Sequence, residues 1–543
     1  MKWLSVTVLS IVPAALGAQE GPVTVAEASG FTATSRYADV MEFVTELQRS
    51  SPLVRVESMG TSTEGRSIPL LVLGDPVPRS PLDLRHDDRV VVYFQANIHA
   101  GEVEGKEAAQ MVARDLVLGR TTDYFDKLVI LIAPIFNIDG NEKISTSNRR
   151  NQHGPEQGVG IRYNGQNLDL NRDGMKLETP EVRGLVDVLN RWDPVFFLDA
   201  HTHNGSYHQE PVTWTWGLNP NGDAAILDYA ADVLLPWITH RMEEQYGVLS
   251  IPHGDFMDVR NPETGWVPLG PQPRYLSNYV GLRNRISILN EQYPYVSFEE
   301  RVKGAYSLFL SFLDFLHGHT EEIVALTSEA DQRTIARGLA PSDEDAFIVD
   351  FGRESIEQRL TIQGYEMEVV EREGGGRPRL NVTDRKRTYT NVPYYARYTP
   401  QRTVPFPRAY LITVQDPAII EKLLQHGVAV EQLTEATTLE VESFTVTELQ
   451  PASRSNQGHY PSSVTGEYAM VHREFPAGTV VVRTDQVLGS VVAYLLEPES
   501  DDGLVYWNFF DRYIASQWGR QALELPVYKL HASAHLVTQR IAR

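Results

Sequence analysis

The chain has 543 residues, 42% of them hydrophobic and 22% charged, a formal net charge of −22 and no cysteine. That length exceeds what one hydrophobic core supports, so one large domain and at least one smaller one are expected. The negative charge gives no electrostatic reason to bind nucleic acid or anionic membranes, and the lack of cysteine excludes disulfides, thiolate ligands and a cysteine nucleophile, leaving histidine and carboxylates to hold any metal.

Residues 1–18 join a short basic start to an apolar stretch with small residues at Ala15, Gly17 and Ala18. They read as a secretory signal peptide, which implies a secreted or periplasmic protein. A secreted chain without cysteine suits a bacterial envelope or medium. Nothing later in the sequence is long and apolar enough to span a bilayer.

From about Phe31 helical and extended patterns alternate, the habit of an α/β domain. Tyr37, Val40, Met41, Phe43, Val44 and Leu47 recur at helical spacing behind Ser35, a candidate N-cap. Short apolar runs at 70–73, 90–96, 129–133, 195–200 and 286–289 read as central strands covered on both faces, and 105–118 and 181–192 carry helical periodicity. After a further helix around 305–316 the chain turns polar, which puts a domain boundary near residue 330. Beyond it, 409–414, 419–425 and 428–433 read as strand, helix, strand, and 439–449, 479–483 and 491–496 as strands. The domains are thus 22–330, a candidate catalytic domain, and 331–543, a β-rich accessory region.

Four motifs fall where strand ends meet loops, the usual place for sites in open α/β sheets: His99-Ala-Gly-Glu102, Asn137-Ile-Asp-Gly140, Asp169-Leu-Asn-Arg172 and Asp199-Ala-His201. His99 and Glu102 are close enough in sequence to reach one cation, and His201 emerges at the same rim of the sheet. Two histidines and one glutamate leave a zinc coordination position open, as in a catalytic site. A hydrolase also needs a proton carrier, and Glu291, at the end of an apolar strand, is the candidate. Arg149, Arg150 and Arg172 lie in polar loops where a guanidinium could bind a substrate carboxylate or stabilise an oxyanion, and Asp169 could orient a zinc-bound histidine. His153, His203, His208, His240 and His253 read as loop residues or neighbours of the site, and Tyr207, Trp214 and Trp216 as core rather than groove.

These residues resemble the M14 family of zinc carboxypeptidases over roughly the first three-fifths of the chain. The segments SRYADVMEFVTELQ, SMGTSTEGRSIPLLVLG, IHAGE, FNIDG, SNRRN, NLDLNRD, LDAHTHNG and ILNEQ occur in the family's order. The resemblance implies a mixed sheet flanked by helices and one zinc ion on His99, Glu102 and His201, with Glu291 as proton shuttle. It further implies Arg149 as the oxyanion arginine, Asn171 and Arg172 as the grip on the substrate's terminal carboxylate, and Asp169 as partner of the first zinc histidine. The implied substrates are the C-termini of peptides or proteins. Two features depart from the family pattern: Asp173 stands where digestive members usually have Asn, and the tyrosine that closes on the carboxylate falls on either Tyr275 or Tyr279. The rival readings are an amide hydrolase on the same scaffold, acting on peptidoglycan stem peptides or acyl-amino acids, and a non-catalytic binding protein.

Overall fold

A computed structural model describes residues 21–203, 205–342, 344–370, 379–515 and 523–542. The signal peptide read at 1–18 lies outside them.

The first domain is built on an eight-stranded mixed sheet. Its strands, in chain order, are β1 (Val54–Thr61), β2 (Ser67–Leu73), β3 (Val90–Ala96), β4 (Leu128–Ala133), β5 (Phe196–Thr202), β6 (Val212–Trp216), β7 (Ser250–Pro252) and, after a small hairpin of β8 (Asp255–Phe256) and β9 (Trp266–Val267), β10 (Ile286–Gln292). Their spatial order is β1-β2-β4-β3-β5-β10-β6-β7. The centre, β4-β3-β5-β10, is parallel, whereas β1, β2 and β6 join antiparallel. Every residue of β4 and β5 is buried, which explains why these strands read as unbroken apolar runs instead of alternating ones. Helices Tyr37–Ser50, Glu104–Val117, Pro180–Trp192 and Phe298–Gly318 cover the sheet. Among the described residues no helix is long and apolar enough to cross a membrane.

The second region is rich in antiparallel strands. Its eight-stranded sheet runs Ser462–Phe475, Thr437–Pro451, Val527–Leu530, Ala409–Ile412, Val480–Arg483, Glu431–Leu433 and Thr538–Arg540 in spatial order, with Leu523–Glu524 added on Thr437–Pro451. Two further two-stranded antiparallel sheets pair Ala346–Glu354 with Arg397–Pro405 and, between them in sequence, Arg359–Val370 with Arg379–Pro393.

Three local readings of the sequence differ from the structure. The helix starting at Tyr37 is N-capped by Arg36, whose backbone N–H donates to Asp39 Oδ2 at 2.7 Å, while Ser35 donates from its backbone and its hydroxyl to buried Glu107. Residues 491–496 belong to a helix, Gly489–Leu496, with every residue buried. A run apolar all round carries no periodicity, so length and tertiary surroundings decide its form. Residue 330 lies inside a continuous helix, Thr320–Leu339, and one hydrophobic core extends from Val40 to Val527 across both regions. At Gly338 on that helix a Cβ would meet the Thr484 carbonyl carbon at 2.2 Å, so a glycine there lets the second region pack directly on the helix.

Candidate active site

The parallel register sets the site. Glu291 on β10 is the Cα partner of His201 on β5, and Asp199 on β5 is the partner of Gln95 on β3. At the end of β3 the chain turns through Asn97, which takes a left-handed φ of 67°, and His99 and Glu102 follow in a turn closed by Glu102 N–H to His99 O at 2.9 Å. Asn and Asp tolerate that conformation better than branched residues.

His99 Nδ1 lies 3.1 Å from His201 Nδ1 and 3.1 Å from Glu102 Oε1, and His201 Nδ1 lies 3.0 Å from Glu102 Oε2. On the opposite edge of each ring, His99 Nε2 donates to Asp169 Oδ1 and His201 Nε2 to Asp199 Oδ2, both at 2.9 Å. These carboxylates fix the protons on Nε2, so two Nδ1 lone pairs and a carboxylate face one another within 4.8 Å. Three converging acceptors with no donor between them fit a divalent cation, and two imidazoles with one carboxylate suit zinc. All three residues are buried.

Burial alone would raise the Glu102 carboxyl, but His99, Arg149 and His201 together hold it well below the usual range. Asp169 behaves alike: burial is outweighed by His99, Arg172 and Arg162. Burial lowers His201 and the Asp199 and Glu102 carboxylates more than reverse it, leaving its pKa raised. Glu291 differs, because burial dominates and pushes it up to about 8, and its Oε2 meets no hydrogen-bond partner among the described residues.

A cleft of about 260 Å³ opens over these groups, lined among others by Glu291, Arg162, Asn171, Arg172, His203 and Asp255. Arg149 is absent from that lining. Its Nη1 donates to Glu102 Oε1 and its Nη2 to Thr202 O, both at 2.7 Å, while Nε donates to Gln152. Its stem lies across Gly101, where a Cβ would meet Arg149 Cδ at 2.5 Å. Arg150 is exposed. Arg162, which no local motif marks, donates from Nε to Asp169 Oδ2 at 2.7 Å, and among the described residues its other two nitrogens make no hydrogen bond, with Nη1 3.9 Å from Glu102. Arg172 packs over the Tyr275 ring at 4.4 Å, and Asn171 Oδ1 accepts from Leu276 N–H at 2.9 Å.

Other expectations resolve as follows. Tyr279 is fully buried, with its hydroxyl 2.8 Å from His426 Nδ1 and accepting from Arg283. Asp173 accepts from Thr179 N–H, Thr179 Oγ1 and Glu178 N–H, tying down the start of helix Pro180–Trp192. His203 and His253 line the cleft, and His203 Nε2 lies 3.2 Å from His208 Nε2. Burial, reinforced by its histidine neighbours, lowers His203, and burial takes His253 down to about 4, so both are neutral near pH 7. Trp214 and Trp216 belong to the core, whereas Tyr207 is exposed and stacks on Tyr295. Asp199 is the partner that the sequence reading passed over, although residues two apart on a strand share a face.

Residues 40–215 match the family model for zinc carboxypeptidase. Carboxypeptidase 2 of Trichophyton tonsurans is 23% identical over 475 residues, 81% of this chain and 77% of that protein. Carboxypeptidase 2 of Trichophyton rubrum is 22% identical over 524 residues, 91% and 88% of the two chains. A solved metallo-carboxypeptidase from Burkholderia cenocepacia is 18% identical, aligned over 52% of this chain and 69% of its own, with a TM-score of 0.39. The matched segment holds His99, Glu102 and His201, which converge, and Asn171 and Arg172, which line the cleft, and over residues 40–215 the chain is similar to the M14 family of zinc carboxypeptidases.

Proposed function

We propose that this protein is a zinc-dependent carboxypeptidase that hydrolyses the last peptide bond of peptides or proteins. The observation that carries the reading is the convergence of His99, Glu102 and His201 beside Glu291, a buried carboxylate with an unpartnered oxygen, in a cleft that also holds two arginines. Zinc on those three residues supplies a Lewis acid that polarises the scissile carbonyl and acidifies water. Glu291 accepts a proton from the attacking water and delivers it to the leaving amine, a task suited to a carboxyl whose pKa burial has moved towards neutrality. Arg172 and Asn171 bind the substrate's free carboxylate, and Tyr275, packed on Arg172, is the tyrosine placed to cover it. For the oxyanion we favour Arg162 over Arg149, because Arg162 lines the cleft and its terminal nitrogens make no hydrogen bond among the described residues, while those of Arg149 hold Glu102 and Thr202. Asp169 and Asp199 orient the two histidines. The leading segment 1–18 supports export from the cytoplasm.

The test is zinc content together with release of C-terminal residues from peptides carrying either a free or an amidated C-terminus. Shortening of free-ended peptides alone is expected. Bound zinc with no cleavage of any peptide would defeat the carboxypeptidase reading and leave another amide as substrate, whereas absence of zinc would leave a binding protein.

A further inference from the structure

The second region holds, at two places, residues that back the lining of the cleft. The hairpin of Thr437–Pro451 and Ser462–Phe475 ends in a turn where Gln457 takes a left-handed φ of 54° and Gly458 one of 82°. A left-handed glutamine costs energy that a glycine would avoid, so a side-chain contact must repay it. Gln457 Oε1 accepts the backbone N–H of Asp169 at 2.7 Å, across 288 residues of sequence. His459 in the same turn is 2.9 Å from Glu178, which fixes the turn against the first domain. Asp169 is the carboxylate shared by His99, Arg162 and the Asn171 backbone.

The second contact grips the opposite edge. Asp502, fully buried and held by the Trp507 indole N–H at 2.8 Å, accepts from both the backbone N–H and Nε of Arg274. The Asp501 carbonyl accepts from Arg274 Nη2 at 3.0 Å. Arg274 precedes Tyr275, whose ring carries the Arg172 guanidinium, and Leu276, whose N–H holds Asn171. Both residues of the carboxylate grip are therefore backed by the second region.

We propose that the second region is part of the catalytic unit, with Gln457 and Asp502 as positioning residues that hold Asp169 and the 274–276 segment so that Asn171 and Arg172 meet a substrate carboxylate in register with Arg162 at the oxyanion. The roles of those three groups rest on the function proposed above, while the clamp itself does not. A backbone amide that loses its acceptor becomes exchangeable, and a grip displaced by a fraction of an ångström binds less tightly.

The full-length chain is compared with Gln457→Leu, Gln457→Glu and Asp502→Asn by hydrogen exchange and by kinetics on free-ended peptides. Gln457→Leu is expected to speed exchange in residues 165–173 selectively and to raise KM about tenfold with kcat within about threefold, the scale of one lost hydrogen bond. Gln457→Glu keeps the acceptor oxygen and restores both readouts. Asp502→Asn raises KM and speeds exchange around 272–277. Unchanged local exchange and KM in both Gln457→Leu and Asp502→Asn would overturn the proposal, as would exchange that rises uniformly over the chain with no recovery in Gln457→Glu. If Gln457→Leu does not fold, Gln457→Glu and Asp502→Asn decide. If the wild type cleaves no peptide, the proposed function falls and local exchange alone judges the clamp.

Discussion

Replacing Arg162 and Arg149 separately by alanine should produce two different defects. Arg162 lines the cleft and, among the described residues, hydrogen-bonds through Nε to Asp169 alone, so its loss removes a donor for developing negative charge while the ligand cluster stays intact. Removal of one such donor typically lowers kcat by about 100- to 1000-fold, and zinc affinity should change little. Arg149 is only 20% exposed and pairs at 2.7 Å with Glu102, which is 3% exposed. Removing it leaves a buried carboxylate without its cation, and breaking such a pair costs about 3 kcal/mol, towards the lower end because one partner still meets water. Arg149→Ala should therefore lose stability in urea unfolding of the zinc-free protein, with kcat of the zinc-loaded enzyme falling less than about tenfold. Steady-state kinetics at saturating zinc and unfolding after chelation give the two readouts. If Arg149→Ala loses about 100-fold in kcat at unchanged stability, while Arg162→Ala turns over normally, the assignment by uncommitted donors is wrong.

Asp199→Asn keeps an acceptor for His201 Nε2 but removes its charge, and zinc affinity measured against a chromogenic chelator should fall about 10- to 100-fold; wild-type affinity would remove Asp199 from the site. Glu291→Gln should retain zinc and lose about 100- to 10,000-fold in kcat, since an amide cannot carry the proton; retained turnover would deny it that role. His426, buried between Tyr279 and the Met175 carbonyl, is pushed down by burial from 6.5 to about 3. It stays neutral when folded and takes a proton when unfolded below pH 6.5, so its contribution is complete above that pH and lost as pH falls towards 3. His426→Gln retains a donor and an acceptor but cannot titrate, and its stability should decline less between pH 7 and 4.5, by on the order of 3 kcal/mol, than that of wild type; equal slopes in urea unfolding would contradict this.

Much of this protein was legible in one dimension. The central strands lie where apolar runs end in polar residues, because a strand buried on both faces tolerates nothing else. His99 and Glu102 are neighbours in sequence, so one turn brings them together, and strand-end placement together with the ordered family resemblance pointed His201 and Glu291 to the same rim. Long-range contacts settled the rest. Arg149 and Arg162 are both arginines in polar loops, and only the fold shows that one is committed to Glu102 while the other faces the cleft. Tyr275 and Tyr279 are separated as candidates by burial, which depends on His426 arriving from the second region. The helix Gly489–Leu496 and the continuity of Thr320–Leu339 through residue 330 follow from packing between regions, which local periodicity does not encode. Sequence by itself determined the central strands and the placement of His99, Glu102 and His201 at their ends, because apolar runs and strand ends are read from neighbours a few positions away. Which arginine is tied to Glu102, which tyrosine is fully buried and what Gln457 holds were decided by the tertiary structure, because each depends on contacts between segments tens to hundreds of residues apart.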